Sequence, residues 1–156
     1  MRILLAIDDS AQSELAIEEM LRLNISQKSK LRVVTVVDIP LIIPLPLNPT
    51  MARIEAVIET IQNQARSRMQ KVVERLREQL SAKQCEIETE TLLGSPAQAV
   101  VEDAENWKAA LLVTGSHLYT TMERWLLGSD SMSIAQAARC DVYIARKPKL
   151  DFSTFY

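Results

Sequence analysis

This chain of 156 residues has little glycine, cysteine or histidine: three, two and one residues respectively. The cysteines, Cys85 and Cys140, lie far apart in the sequence, and neither has a further cysteine or a histidine near it in a metal-ligand spacing. The pattern therefore gives little support to a zinc site or a disulfide framework, and it fits a reducing compartment. We expect a cytoplasmic protein.

Neither sign of charge dominates, and no apolar stretch is long. Eighteen Lys and Arg residues against 20 Asp and Glu residues give a net charge of −2, so the chain lacks the basic excess that would neutralise a nucleic-acid backbone. No apolar run approaches the roughly 20 residues that cross a bilayer, and the start MRILLAIDDS lacks a full secretory h-region and cleavage site. We expect neither a nucleic-acid partner nor a membrane partner.

The hydrophobic residues, 47% of the chain, suffice for the core of one domain, and the length is too short for two ordinary domains. Short apolar runs alternate with apolar positions at helical spacing, which is typical of strands joined by covering helices. The predicted strands cover residues 2–7, 31–37, 86–93, 110–114 and 142–145. One predicted helix is capped by Ser10, and the others cover residues 49–83, 96–108 and 132–139.

This order of elements predicts a mostly parallel sheet with helices on both faces, because right-handed crossovers place helices above and below the strands. We predict an α/β fold with a flavodoxin-like or Rossmann-like doubly wound sheet of five strands, in the order 3-2-1-4-5, with strand 86–93 at an edge. Residues 1–147 would form this domain, and residues 148–156 a C-terminal tail. Ligands of such sheets bind beyond the carboxyl ends of the strands, where the strand order reverses.

Residues 113–131, VTGSHLYTTMERWLLGSDS, hold two of the three glycines, and each is followed by serine. Gly115 ends an apolar run, and Gly128 precedes a helix-compatible run. The loop after a strand and the start of a helix both expose backbone N–H groups, and the helix dipole adds positive potential there. The segment therefore predicts an anion site. A tight turn at Gly115 and a helix cap at Ser129 or Ser131 would also explain the two features one by one.

Two side chains near this segment have more than one possible role. The predicted strand order puts the loop after residue 7 beside the loop after residue 114, so Asp8 would border the anion site. A carboxylate at a strand end can equally cap the next helix, and Asp9 and Ser10 are rival caps. His117, the only histidine, could donate to a phosphate oxygen or serve in packing or at the surface.

Over essentially its full length the chain resembles universal stress protein domains. The resemblance rests on a first strand that ends in an acidic residue, ILLAIDDS, on the glycine-proline turn LGSPA before the third helix, and on a closing strand after a small-residue helix. Nucleotide-binding members of the family carry the motif Gly-x2-Gly-x9-Gly-Ser/Thr. In this sequence the motif frame begins at Gly115, passes through position 118 and ends at Gly128 and Ser129.

The resemblance implies a homodimeric stress-response protein that binds an adenine nucleotide, ATP or AMP with or without Mg²⁺, as a regulatory or sensing ligand. It implies that Asp8 contacts the ribose or a metal, that the backbone of Val36 meets the adenine, and that the dimer forms through strand 142–145. It assigns no catalytic residue. The nucleotide-binding residues that it implies are Asp8, Val36, Gly115, Ser116, His117, Gly128, Ser129 and Ser131.

Two residues depart from the motif and keep other functions open. Position 118 is leucine, whose side chain obstructs the close backbone approach that glycine allows. Asp130 would repel a triphosphate by about 1 to 4 kcal/mol at effective dielectric constants of about 80 to 20, so AMP or ADP would be tolerated better than ATP. One alternative is a universal stress protein that acts as a dimeric interaction module without nucleotide. Another is a slow ATP hydrolase, for which the sequence identifies neither a placed water nor a base.

Residues 39–49, IPLIIPLPLNP, combine four prolines with large aliphatic side chains. The prolines prevent a helix or a central strand, and the stretch is too apolar for a free linker. It could fold back over the long helix, cover the nucleotide pocket or contact a second subunit.

Overall fold

The structure is a computed structural model that describes residues 1–38, 51–116 and 129–146, without the side chains of residues 51–54 and 129. The segment 39–49, the motif residues His117, Leu118 and Gly128, and the tail 148–156 lie outside the described residues.

Five parallel strands form one sheet in the order β3-β2-β1-β4-β5. The strands are β1 (Arg2–Ala6), β2 (Lys30–Val37), β3 (Glu86–Leu93), β4 (Leu111–Gly115) and β5 (Asp141–Ala145). The predicted strand order is confirmed, as is the position of β3 at an edge. β1 ends one residue earlier than predicted, although the N–H of Ile7 still donates to the carbonyl oxygen of Val34 at 2.9 Å.

In the described part of the chain four helices connect the strands: α1 (Ala11–Arg22), α2 (Met51–Leu80), α3 (Pro96–Asn106) and α4 (Ser129–Ala137), with a short 3-10 turn at Ser81–Lys83 after α2. Ser10 is the N-cap of α1, and Pro96 is in the first turn of α3, as the sequence predicts. α4 begins three residues before the predicted start at Met132, so Ser129 and Ser131 belong to the helix itself. None of the described helices combines the length and the apolar character that a membrane span requires.

The helices cover both faces of the sheet, and each face has its own core. Along β1, Ile3 and Leu5 pack with residues of α1 and α2, whereas Leu4 and Ala6 pack with residues of α3 and α4. Successive side chains of a strand point to opposite faces, so a strand that is covered on both sides is apolar at every position. This explains the continuous apolar run of β1, and the fold is the predicted doubly wound α/β architecture.

α2 is longer than the sheet that it covers. Thirty helical residues span about 45 Å, whereas an eight-residue strand spans about 26 Å. The C-terminal half of the helix is buried through Ala65, Met69, Val73, Leu76 and Leu80. In the N-terminal half Val57 is 40% exposed, and no described residue after Glu55 is buried before Ala65. The apolar stripe of this helix therefore extends beyond the described core.

Candidate functional site

A cavity of about 300 Å³ lies at the carboxyl ends of β1, β2 and β4, beside the first turns of α3 and α4. This is the sheet edge at which the sequence predicts a ligand, because β1 and β4 are neighbours and the chain leaves them in opposite directions along the sheet. The volume is at the lower end of the range of about 300 to 1,000 Å³ that is usual for ligand pockets. Its lining includes Asp8, Val36, Thr114, Gly115, Asp130 and Ser131.

Asp8 both organises the start of α1 and borders the cavity. Its Oδ1 accepts hydrogen bonds from the N–H of Ser10 at 2.9 Å and from the hydroxyls of Ser10 and Ser13, the latter at 2.6 Å. The N–H of Asp8 in turn donates to Ser13 Oγ at 2.7 Å. The sequence left capping and ligand contact open for Asp8, and the geometry is compatible with both, because the loop that Asp8 holds in place is also a wall of the cavity.

Ser13 is a residue of this site that the sequence analysis did not single out. It is 6% exposed, lines the cavity and exchanges two hydrogen bonds with Asp8. Its own N–H donates to Ser10 Oγ at 3.3 Å, which completes the N-cap of α1. The signal available in the sequence is a serine three residues after the N-cap serine, at a position where capping interactions are common.

Gly115 is the last residue of β4. A Cβ on this residue would lie 2.4 Å from the backbone oxygen of Gln12 and 2.6 Å from its carbonyl carbon. Such distances are too short for any side chain, and the contact atoms belong to backbone that cannot move aside without moving α1. Glycine is required here because a helix passes close to the strand end.

Ser131 links α4 to β4. It is 3% exposed, and its hydroxyl donates to the carbonyl oxygen of Gly115 at 3.1 Å. The predicted pair Gly115 and Ser131 is therefore brought together on the wall of one cavity. The backbone of Ser129 forms the start of the same helix.

Ser116 lies apart from the cavity lining. It is fully buried, its N–H donates to the carbonyl oxygen of Ala145 at 2.8 Å, and its Oγ has no hydrogen-bond partner among the described residues. Of the implied nucleotide-binding residues with a described side chain, Ser116 is thus the one that the structure does not bring to this cavity.

Val36 lies where β2 extends beyond the end of β1. At the carboxyl ends of β1 and β2, the last backbone hydrogen bond between the two strands joins the N–H of Ile7, just after β1, to the carbonyl oxygen of Val34 in β2. Alternate residues of a strand direct their backbone groups to the same side, so the N–H and C=O of Val36 also face the side of β1, past its last paired residue. No backbone hydrogen bond from β1 or the described loop after it reaches them. Val36 therefore presents one donor and one acceptor at the cavity wall.

Two of the described residues that line the cavity are charged, and both are acidic. Asp130, the second residue of α4, is exposed, and no hydrogen bond or ion pair joins its carboxylate to a described residue. Asp8 is the other, and no Lys, Arg or His is among the described lining residues. Within the described ranges no group of three or more His, Cys, Asp or Glu residues is arranged to hold a metal ion.

A second cavity, of about 370 Å³, lies on the other face of the sheet between the β1–α1 loop and α2. Thr35 lines it, whereas the next residue, Val36, lines the first cavity. Arg68 from α2 forms an ion pair with Asp9 beside this second cavity.

A doubly wound parallel sheet with helices on both faces defines a class of α/β domains. Within that class, the model of the universal stress protein family matches residues 1–146, and the chain belongs to that family. Universal stress protein MJ0531 of Methanocaldococcus jannaschii is 35% identical over 114 residues, which are 73% of this chain and 63% of that protein. The match thus spans less than two thirds of that relative. Universal stress protein YxiE of Bacillus subtilis is 27% identical over 145 residues, 93% of this chain and 98% of that protein.

Solved structures with low sequence identity share the fold. Hypothetical protein MJ0577 superposes with a TM-score of 0.74 at 17% identity, over 95% of this chain and 96% of that one. A universal stress protein in complex with cAMP superposes with a TM-score of 0.63 at 21% identity, over 95% of this chain and 98% of that one. A universal stress protein family member from Arabidopsis thaliana with AMP bound superposes with a TM-score of 0.61 at 12% identity, over 96% of this chain and 93% of that one. These similarities establish the architecture.

Proposed function

We propose that this chain binds an adenine nucleotide, ATP or AMP, as a regulatory or sensing ligand of a stress response. The observation that carries the proposal is that one cavity is lined by Asp8, Val36, Gly115 and Ser131, four of the residues that the family resemblance implies for this role. The proposal gains support from the two related structures of the same fold that hold cAMP and AMP.

The lining of the cavity has groups that suit the base, the ribose and the phosphate of a nucleotide. Val34, Val36, Val100 and Ile134 supply an apolar surface for a base, and the backbone N–H and C=O of Val36 are a donor and an acceptor for its polar edge. The carboxylate of Asp8 is an acceptor for ribose hydroxyls. The first turn of α4 offers backbone N–H groups and the positive end of the helix dipole to a phosphate.

Calorimetric titration of the purified protein with AMP, ATP and cAMP, each with and without Mg²⁺, tests the proposal. Val36→Trp would fill the cavity and abolish binding, whereas Thr35→Trp, one residue away on the opposite face, would leave binding intact. A bound nucleotide also raises the melting temperature of the wild type. The absence of heat and of any melting shift with all three nucleotides contradicts the proposal.

We further propose that the protein acts in the cytoplasm as a homodimer joined through β5. Both edges of the sheet are candidates for pairing, but β3 carries Glu86, Glu88 and Glu90, and charges of one sign oppose the pairing of two copies. β5 is short and has Val142, Tyr143 and Ile144 in succession. The cytoplasmic location has support from the two free cysteines, which no disulfide engages.

A second candidate function is a dimeric interaction module that binds no nucleotide. It is favoured by the N-terminal half of α2, where Val57 is 40% exposed, since exposed apolar surface is typical of contact sites. The same titrations separate the candidates, because a module of this kind remains dimeric and releases no heat with any nucleotide.

A further inference from the structure

The site described above has an acidic side chain where a nucleotide would carry its negative charge. We propose that Asp130 selects the nucleotide by its charge, so that the cavity binds AMP more tightly than ATP. This inference rests on the proposed adenine-nucleotide function and adds to it a residue that determines which nucleotide is bound.

The position of Asp130 in α4 carries the first step. Asp130 lies between Ser129, which begins the helix, and Ser131, whose hydroxyl donates to the carbonyl oxygen of Gly115 at 3.1 Å. Both Asp130 and Ser131 line the cavity. The backbone N–H groups of this first turn are the donors that a phosphate would use. The carboxylate of Asp130 therefore lies beside the phosphate position and offsets part of the positive potential of the helix end.

The surroundings of Asp130 carry the second step. No Lys or Arg among the described residues forms an ion pair with its carboxylate, and no described residue of the cavity lining is basic. Asp8, which also lines the cavity, is acidic too. Each phosphate added to AMP brings more negative charge toward this lining, and the repulsion grows with the charge of the ligand.

The size of the cavity acts in the same direction. A volume of about 300 Å³ is at the small end of ligand pockets, so the outer phosphates of ATP would extend out of the cavity, and Asp130 is a lining residue that is exposed to solvent. Mg²⁺ neutralises part of the charge of ATP in solution, and the preference for AMP therefore decreases when Mg²⁺ is present.

Titrations with adenosine, AMP, ADP and ATP in EDTA, and again with Mg²⁺, test this inference. For the wild type in EDTA we expect ATP to bind about tenfold more weakly than AMP. Asp130→Asn would strengthen ATP binding about tenfold and AMP binding about threefold, and would leave adenosine unchanged. Asp130→Glu keeps the negative charge, so this variant should bind AMP more tightly than ATP, as the wild type does. High salt reduces the differences, as expected for a screened charge.

The control is Glu18→Gln, which removes an equal charge from the exposed face of α1, outside the cavity lining. It would leave all four affinities unchanged. If AMP and ATP bind the wild type equally and Asp130→Asn changes neither, the inference is wrong while the proposed function stands. If wild type and variants bind none of the four ligands, the proposed function fails and the inference fails with it.

Discussion

The strand residue Gly115 and the helix residue Gln12 lie in direct backbone contact. A Cβ on Gly115 would be 2.4 Å from the carbonyl oxygen of Gln12, so the end of β4 and the first turn of α1 approach each other as closely as two backbones can. Both elements border the cavity, since Asp8 in the loop before α1 lines it and Ser131, which also lines it, is bonded to Gly115. The glycine of the motif thus fixes the shape of the site through packing.

Gly115→Ala is therefore expected to destabilise the fold. The added methyl group forces α1 away from β4, and overpacking of this kind costs about 1 to 3 kcal/mol. Urea unfolding followed by circular dichroism measures the loss. An alanine variant that unfolds at the wild-type urea concentration would show that α1 and β4 are not in contact at this point.

The neighbouring Ser116→Ala is expected to behave in the opposite way. The hydroxyl of Ser116 is fully buried and has no hydrogen-bond partner among the described residues, so its removal leaves stability unchanged or raises it by about 1 kcal/mol. AMP affinity should be unaffected, because Ser116 does not line the cavity. A marked loss of AMP affinity in this variant would contradict the prediction and indicate that Ser116 contacts the nucleotide.

The fold class follows from local patterns in the sequence, as does the position of β3 at an edge of the sheet. β1 is apolar and buried from Ile3 to Ala6, which is typical of a strand covered on both faces, whereas β3 alternates with glutamate, which predicts an edge. Ser10 and Pro96 mark helix starts by chemistry that depends on a few neighbouring residues. These features need no knowledge of distant contacts.

The site could be predicted only in part, because its key contacts join residues that are far apart in the sequence. Gly115 meets Gln12 only after β1 and β4 have paired, and no local pattern encodes that approach. The apolar positions at helical spacing predict a helix over residues 49–83, close to the observed α2, but they do not show that the buried part of α2 begins at Ala65. The sequence predicts that α4 starts at residue 132, whereas the helix starts at Ser129. Serine and aspartate favour both the cap and the first turn of a helix, so they do not define its first residue.

A further prediction concerns pH and the contact between β5 and α1. The hydroxyl of Tyr143 donates to Glu19 Oε2 at 2.9 Å. This hydrogen bond to Glu19, together with burial, raises the pKa of Tyr143 above its ordinary value of 10.0. The folded protein thus holds the phenolic proton more tightly than the unfolded chain does. The stabilisation is complete below pH 10 and is lost as the pH rises through the folded-state pKa.

Tyr143→Phe lacks this proton, so the difference in the free energy of unfolding between wild type and variant should decrease above pH 10. Glu19→Gln keeps an acceptor without the charge, and the pKa of Tyr143 should then lie closer to its ordinary value. Unfolding at a series of pH values, with an ultraviolet titration of the tyrosines, measures both effects. If the difference in the free energy of unfolding between wild type and Tyr143→Phe stays constant with pH, the raised pKa of Tyr143 is contradicted.

The proposed dimer makes a prediction about Ile144. The carbonyl of Ala145 accepts from the N–H of Ser116, the residue after β4, so the backbone groups of its neighbour Ile144 face the open side of β5, where a second copy would pair. Ile144→Lys places a charge at that edge, and edge charges oppose strand pairing. Light scattering should give about twice the chain mass of 17.6 kDa for the wild type and the single mass for the variant.

Val57→Lys is the control for this experiment, because it places the same charge on an exposed apolar position of α2. It should remain dimeric. If Ile144→Lys has the mass of the wild type, the subunits do not associate through β5.

Nuclear magnetic resonance of the labelled protein during titration with AMP tests the central proposal most directly. The account predicts that the largest amide shifts occur at Asp8, Val36, Gly115 and Ser131, at the carboxyl edge of the sheet, and that Lys30 and Cys140 at the opposite edge do not shift. No perturbation at saturating AMP, or perturbations centred on the opposite edge, would contradict it.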